Sequence, residues 1–214
     1  MMHIGISGDT TTKFKPDHIR DLLPVIEKGE IVTHCYSTAV GRMIDDIGKP
    51  VPEAKEAYDR GVWFDVGIGG SSGIDVARRM MDAGMPAHCL GSDLTVNSRK
   101  ASVFSLVHGM TRFLAMGLSL GEVVTMATEN PAKALGMADR LGSITPGRQA
   151  DLSVLDIRDG DWAIYDNYTG RGPRGTLRAE KAIVPVPTVK RGEVFAADWG
   201  PRPWGWEPDP WPGD

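Results

Sequence analysis

Short apolar runs alternate with amphipathic stretches along the first part of the chain. "MMHIGIS" (residues 1–7), "EIVTHC" (30–35), "VWFDVGI" (62–68) and "PAHCLGSD" (86–93) read as strands, being short runs set between helical segments and turn formers. Between them lie segments of helical period. "KPDHIRDLLPVIEKG" carries Leu22, Leu23 and Ile26 at helical spacing, with Pro24 marking a kink or the true start. "PEAKEAYDRG" has proline near its start and glycine at its end, and "GIDVARRMMDAG" follows the third run. A longer helical region spans Ser102 to Ala134, broken near Gly117 and Asn130-Pro131. Strand-then-helix units in succession predict an α/β fold with a parallel sheet and right-handed crossovers.

After "GSITPGRQADLSVLD" the pattern changes. The pieces "DLSVLDI" and "AIVPVPTVKRGEVFAA" are β-like, turns separate them, and no strong helix remains, so a small β appendage is expected. The tail "WGPRPWGWEPDPWPGD" is too rich in proline to continue regular structure. The organisation expected is therefore an α/β unit over residues 1–140, a small β segment over 141–198 and a Pro/Trp-rich tail over 199–214.

Composition narrows the function classes. With 24 Lys and Arg against 28 Asp and Glu and a pI near 5.7, the chain lacks the cationic surplus of a nucleic-acid binder. Cys35 and Cys89 form neither a disulfide framework nor a CxxC pair, which points to a reducing cytoplasm. No long apolar run suits a membrane span, and "MMHIGISGD" has no leader-like character.

Candidate chemistry gathers where the strands end. His3, His34 and Asp93 each lie at or near the carboxyl end of an expected parallel strand, as do Gly67 to Gly70, and that edge is where α/β folds place their sites. Imidazoles plus a carboxylate suit zinc or a similar divalent metal. Taken singly, each residue has a plainer role: His34 a hydrogen-bonded core histidine, His3 a surface residue, Asp93 a helix cap. His18 and His108 read as helix-surface or packing residues, and His88 as a packing residue inside its strand.

In order, "HIGIS", "IVTHCYS", "VWFDVGIGG", "LGSDL", "ATENPAKALGM" and "GSITPGRQADLSVLD" resemble the second half of the amidohydrolase superfamily, in particular its deacetylase and dihydroorotase-like branch. That resemblance implies the latter half, strands 5–8, of a TIM-like (β/α)8 barrel plus a small β appendage. It implies metal-dependent hydrolysis of a small-molecule amide or cyclic amide, with Zn2+, or another divalent ion such as Mn2+, as cofactor. His3 matches the metal-binding histidine of the fifth strand and His34 that of the sixth. Asp93 matches the aspartate of the eighth, which touches the metal and takes a proton from the attacking water. Gly69 and Gly70 fall in the turn after the seventh strand, where substrate is contacted, and Ile68 stands where the branch often has a histidine. The family's HxH pair and bridging lysine have no counterpart here, so the resemblance implies a truncated or split form completed by a missing N-terminal half or by self-association.

Two other readings compete. "VWFDVGIGGSSGIDVARRMM" is also a strand, a glycine-rich turn and a helix, with Asp93 placed 20 residues after Gly73, as a dinucleotide fold would want. There Gly67 and Gly69 fit the first glycine positions, but Ser72 takes the third and Gly73 falls one late. A non-catalytic half-barrel subunit is the other.

Overall fold

A computed structural model describes residues 18–38, 43–96, 98, 103–165 and 176–196. The expected first strand with His3 and the Pro/Trp-rich tail lie outside the described residues.

The chain enters through α1 (His18–Leu22), which gives way to a 3-10 turn over Leu23–Val25. Pro24 sits in that turn; lacking an N–H and crowding the preceding carbonyl, it ends the α-helix well short of the sequence expectation. β1 (Ile31–Val32) follows, then α2 (Pro52–Arg60), β2 (Trp63–Phe64) and α3 (Ile74–Asp82). Pro52 opens α2 at a position where no intrahelical donor is needed, and Gly61 closes it in the left-handed conformation at φ 91°.

β1 and β2 pair in parallel, Ile31 with Trp63 and Val32 with Phe64. The stretch 86–91 runs along the other side of β2: Asp65 and Cys89 form a parallel bridge, Val66 N–H donates to Cys89 O at 3.0 Å, and Ile68 N–H donates to Gly91 O at 3.0 Å. The parallel arrangement expected of these segments is thus present, but two become strands of only two residues and the third a single bridge. The ladder stops early because the backbone turns at the ends: His34 lies at φ 60° and Asp93 at φ 45°, where extended pairing cannot continue.

The helical region after residue 102 resolves into α4 (Leu106–Ala115), α5 (Leu120–Ala127) and α6 (Glu129–Ala134). Ser119 caps α5 in a reciprocal capping box with Glu122, which explains the break after Gly117. The antiparallel β3 (Leu152–Tyr165) and β4 (Thr176–Lys190) are longer than expected, and the hairpin Arg191–Gly192 leads into β5 (Glu193–Ala196). The pairing of Trp162 to Tyr165 with Thr176 to Ala179 prolongs both strands beyond their apolar runs.

One principal core unites these parts. Val32, Phe64, Val66, Leu90, Met110 and Phe113 belong to it, and so does Ile183 from β4. α4 is the joint: Thr111 Oγ1 accepts from Ile183 N–H at 2.9 Å, and the buried Arg112 donates to Tyr165 O at 2.8 Å and to Ser72 O at 3.4 Å. The glycine turn at 67–70 is thereby backed by α4, since a Cβ on Gly109 would stand 2.3 Å from Ile68 Cδ1. No helix among the described residues is long and apolar enough to cross a membrane.

Candidate active site at the strand ends

Val32 ends β1, and two residues later the backbone turns into the left-handed region at His34, an unusual conformation for a residue with a Cβ. The ring is 8% exposed, and its Nδ1 lies 2.8 Å from Gly67 O. A carbonyl can only accept, so Nδ1 carries the hydrogen and, in the neutral ring, Nε2 presents a lone pair. Nε2 faces Asp93 Oδ2 at 4.0 Å. Two acceptors confronting each other at that separation are reconciled by a proton or by a cation between them. Drawn together by a few tenths of an ångström, Nε2 and Oδ2 could both reach one ion through bonds of about 2 Å.

Asp93 reaches this position because the turn after β2 is made of glycine. A Cβ on Gly69 would stand 2.1 Å from Asp93 Oδ2, and one on Gly67 would stand 2.6 Å from Thr33 Oγ1 and 2.9 Å from His34 Nδ1. Both glycines adopt positive φ, 48° at Gly67 and 45° at Gly69. The glycine pattern that could have cradled a pyrophosphate therefore admits the site's own side chains instead, which removes the physical basis of the dinucleotide reading. Gly70 follows in the same turn, partly exposed, and Ile68 is buried into the core rather than facing the opening.

Sequence reasoning missed Asp65. It follows β2 directly and is partly buried. It accepts from Thr33 Oγ1 at 2.5 Å and from Gly91 N–H. Burial holds its carboxyl above the ordinary carboxylate range; the hydrogen bonds and His34 pull the other way, while Asp93 pushes with the burial. The available signal was a carboxylate set inside the apolar run "VWFDV", where burial without partners is costly.

The remaining histidines have packing roles. His88 stacks on Tyr58 with centroids 4.7 Å apart, meets Trp63 edge-on and accepts from Phe64 N–H at 3.0 Å through Nδ1. His108 is buried in α4 beside Phe104, and burial, reinforced by Arg112, lowers its pKa to about 3. His18's side chain and His3 lie outside what is described, so the structure brings together His34, Asp93, Gly69 and Gly70 of the expected site. Among the described residues no group of three His, Cys, Asp or Glu side chains could hold a metal. Cys35 and Cys89 are buried free thiols, with burial raising both, Cys89 to about 12.

Residues 12–180 match the model of the amidohydrolase family, and the chain belongs to that family. It is 27% identical over 199 residues to a deacetylase of Enterococcus faecalis, covering 91% of this chain and 50% of that protein. A crystal structure of an adenine deaminase superposes with a TM-score of 0.78 at 26% identity, over 86% of this chain and 49% of the other. A dihydroorotase structure gives 0.70 at 25% identity, over 83% and 46%. Deacetylase, deaminase and dihydroorotase are hydrolases of carbon–nitrogen bonds. The chain spans about half the length of these relatives.

Proposed function

We propose that this chain carries one half of the active site of a metal-dependent amidohydrolase that cleaves a small-molecule amide or cyclic amide, as a deacetylase or dihydroorotase-like enzyme does. The observation that carries the reading is the pairing of His34 Nε2 with Asp93 Oδ2 at 4.0 Å, two acceptors set for a shared cation. His34 and Asp93 would hold a Zn2+ or Mn2+ ion, joined by His3 from the segment outside the described residues. Such an ion supplies Lewis acidity toward the scissile carbonyl.

The chain's own residues have distinct tasks. The Gly67 carbonyl keeps His34 in one tautomer and orientation, the outer partner that metal-ligating histidines characteristically have. Asp93, its side chain 38% exposed, is open enough to take a proton from an attacking water and hand it to the leaving amine. Gly69 admits the Asp93 carboxylate, and Gly70, partly exposed in the same turn, would face the substrate. The parallel strands correspond to the latter half of a barrel with a β appendage. An N-terminal half supplying the HxH pair and the lysine, or a second copy, completes the enclosure, and the companion segment is the partner expected. The setting expected for such an enzyme is the cytoplasm.

The test is reconstitution. The 214-residue chain alone is expected to show little or no hydrolysis of N-acetyl amino acids, because an open mouth and a partial ligand set give weak stabilisation of the tetrahedral intermediate. Adding an N-terminal half from a related deacetylase with zinc or manganese is expected to restore activity, and Asp93→Asn to abolish it again. Robust turnover by the chain alone that survives a chelator would overturn the assignment.

A further inference from the structure

We infer that Asp65 is the positioning residue of this site, a partly buried carboxylate that ties the segment carrying His34 to the segment carrying Asp93. The inference rests on the reading of His34 and Asp93 as cation ligands. Thr33, immediately before His34, donates its hydroxyl to Asp65 Oδ2 at 2.5 Å. Gly91, two residues before Asp93, donates its N–H to the same carboxylate, and a Cβ on Gly91 would approach Asp65 Oδ1 to 3.3 Å. Asp65's own backbone completes the stitching: its N–H donates to Val32 O at 2.9 Å and its carbonyl accepts from Cys35 N–H at 3.1 Å.

The side-chain tie acts where the ladder cannot. Past β1 the chain leaves extended geometry at His34, and before Asp93 the third stretch touches β2 through one bridge and a few loop bonds. A side-chain acceptor with two oxygens can hold a hydroxyl from one neighbour and an amide from the other across that gap. Thr33 Oγ1 also lies beside Gly67, close to the carbonyl that orients His34, so the tie and the tautomer lock share one small volume. Asp65 acts through these neighbours: it sets the separation at which His34 and Asp93 meet.

The deciding variant is Thr33→Val in the 214-residue chain, which keeps the shape and severs one leg. Thr33→Ser is the rescue and Asp65→Ala the variant that severs both. Zinc affinity, read by competition with a chromophoric chelator, is expected to fall about tenfold in Thr33→Val, the usual cost of losing an outer partner of a metal site. It is expected to stay near the parent value in Thr33→Ser. The 15N signals of the His34 ring in metal-free protein are expected to move from one tautomer toward a mixture. If Asp65→Ala folds, adding Thr33→Val to it changes nothing further, because the bond that Thr33 makes is already lost. A folded Thr33→Val with unchanged zinc affinity and unchanged ring signals overturns the inference. Should the parent bind no zinc, the metal reading falls by itself and the ring signals alone decide the role of Asp65.

Discussion

The strand ends around His34 and the ribbon of β3 to β5 are built on opposite plans. In the ribbon, hydrogen bonding is long, with β3 and β4 paired from Leu152 to Tyr165 apart from register shifts between Ser153 and Leu155 and between Asp159 and Trp162, while many side chains remain in solvent: Val194 is 68% exposed and Phe195 47%. Its charges form surface pairs such as Arg178 with Asp161 and Lys190 with Asp151. Around His34 the regular pairing is only two residues long, yet Thr33, His34, Cys35 and Tyr36 are all buried. Order there comes from side chains and glycine turns rather than from a ladder. Chemistry resides where the backbone has left regular structure but the surroundings still determine it.

The contrast is broken or sharpened most strongly by deleting one aromatic from each region. Phe113, buried in α4 against Tyr36 at 6.1 Å between centroids, is expected to cost about 3–5 kcal/mol of unfolding free energy as Phe113→Ala. Phe195→Ala in the ribbon is expected to cost less than about 1 kcal/mol. Equal losses in urea titrations of the two variants would erase the distinction.

Acid is the next lever. His108 is held neutral, its pKa lowered from 6.5 to about 3, so between these values the unfolded chain binds the proton that the folded chain refuses. Stability from this residue is therefore complete above the unfolded value and is lost as pH falls toward 3, by about 3 kcal/mol at pH 4. Asp65 works in the opposite sense: its raised carboxyl favours the protonated fold, so its contribution weakens as pH rises through its titration. His108→Leu is expected to flatten the acid limb of a stability-versus-pH curve, and an unchanged limb would show that the buried helix is not what acid attacks.

Smaller effects separate the glycine turn from the ribbon surface. Gly69→Ala places a Cβ at φ 45° against Asp93, and is expected to cost about 1–2 kcal/mol from the backbone conformation alone, together with weaker zinc binding in a chelator competition. Val194→Thr, on the exposed face of β5, is expected to change unfolding free energy by no more than about 0.5 kcal/mol. A larger loss at Val194 than at Gly69 would mean that the ribbon face is covered in solution.

The alternation of apolar runs with helical segments was enough to place three parallel stretches, the helices between them and a later β segment, because burial demands a periodicity that is written locally. The pairing of His34 with Asp93 was legible for the same reason, since both close apolar runs and parallel strands bring their ends to one edge. Strand length was not legible: "VWFDVGI" has strand composition throughout, but Gly67 and Gly69 take positive φ to make room for His34 and Asp93. Nor did local pattern disclose Asp65, whose role depends on a hydroxyl at Thr33 and an amide at Gly91, each far away in sequence. Periodicity alone determined which faces are buried and which residues reach the edge. Only the tertiary structure decided which of them meet, because a hydrogen bond between segments is a property of their separation in space, which no single segment encodes.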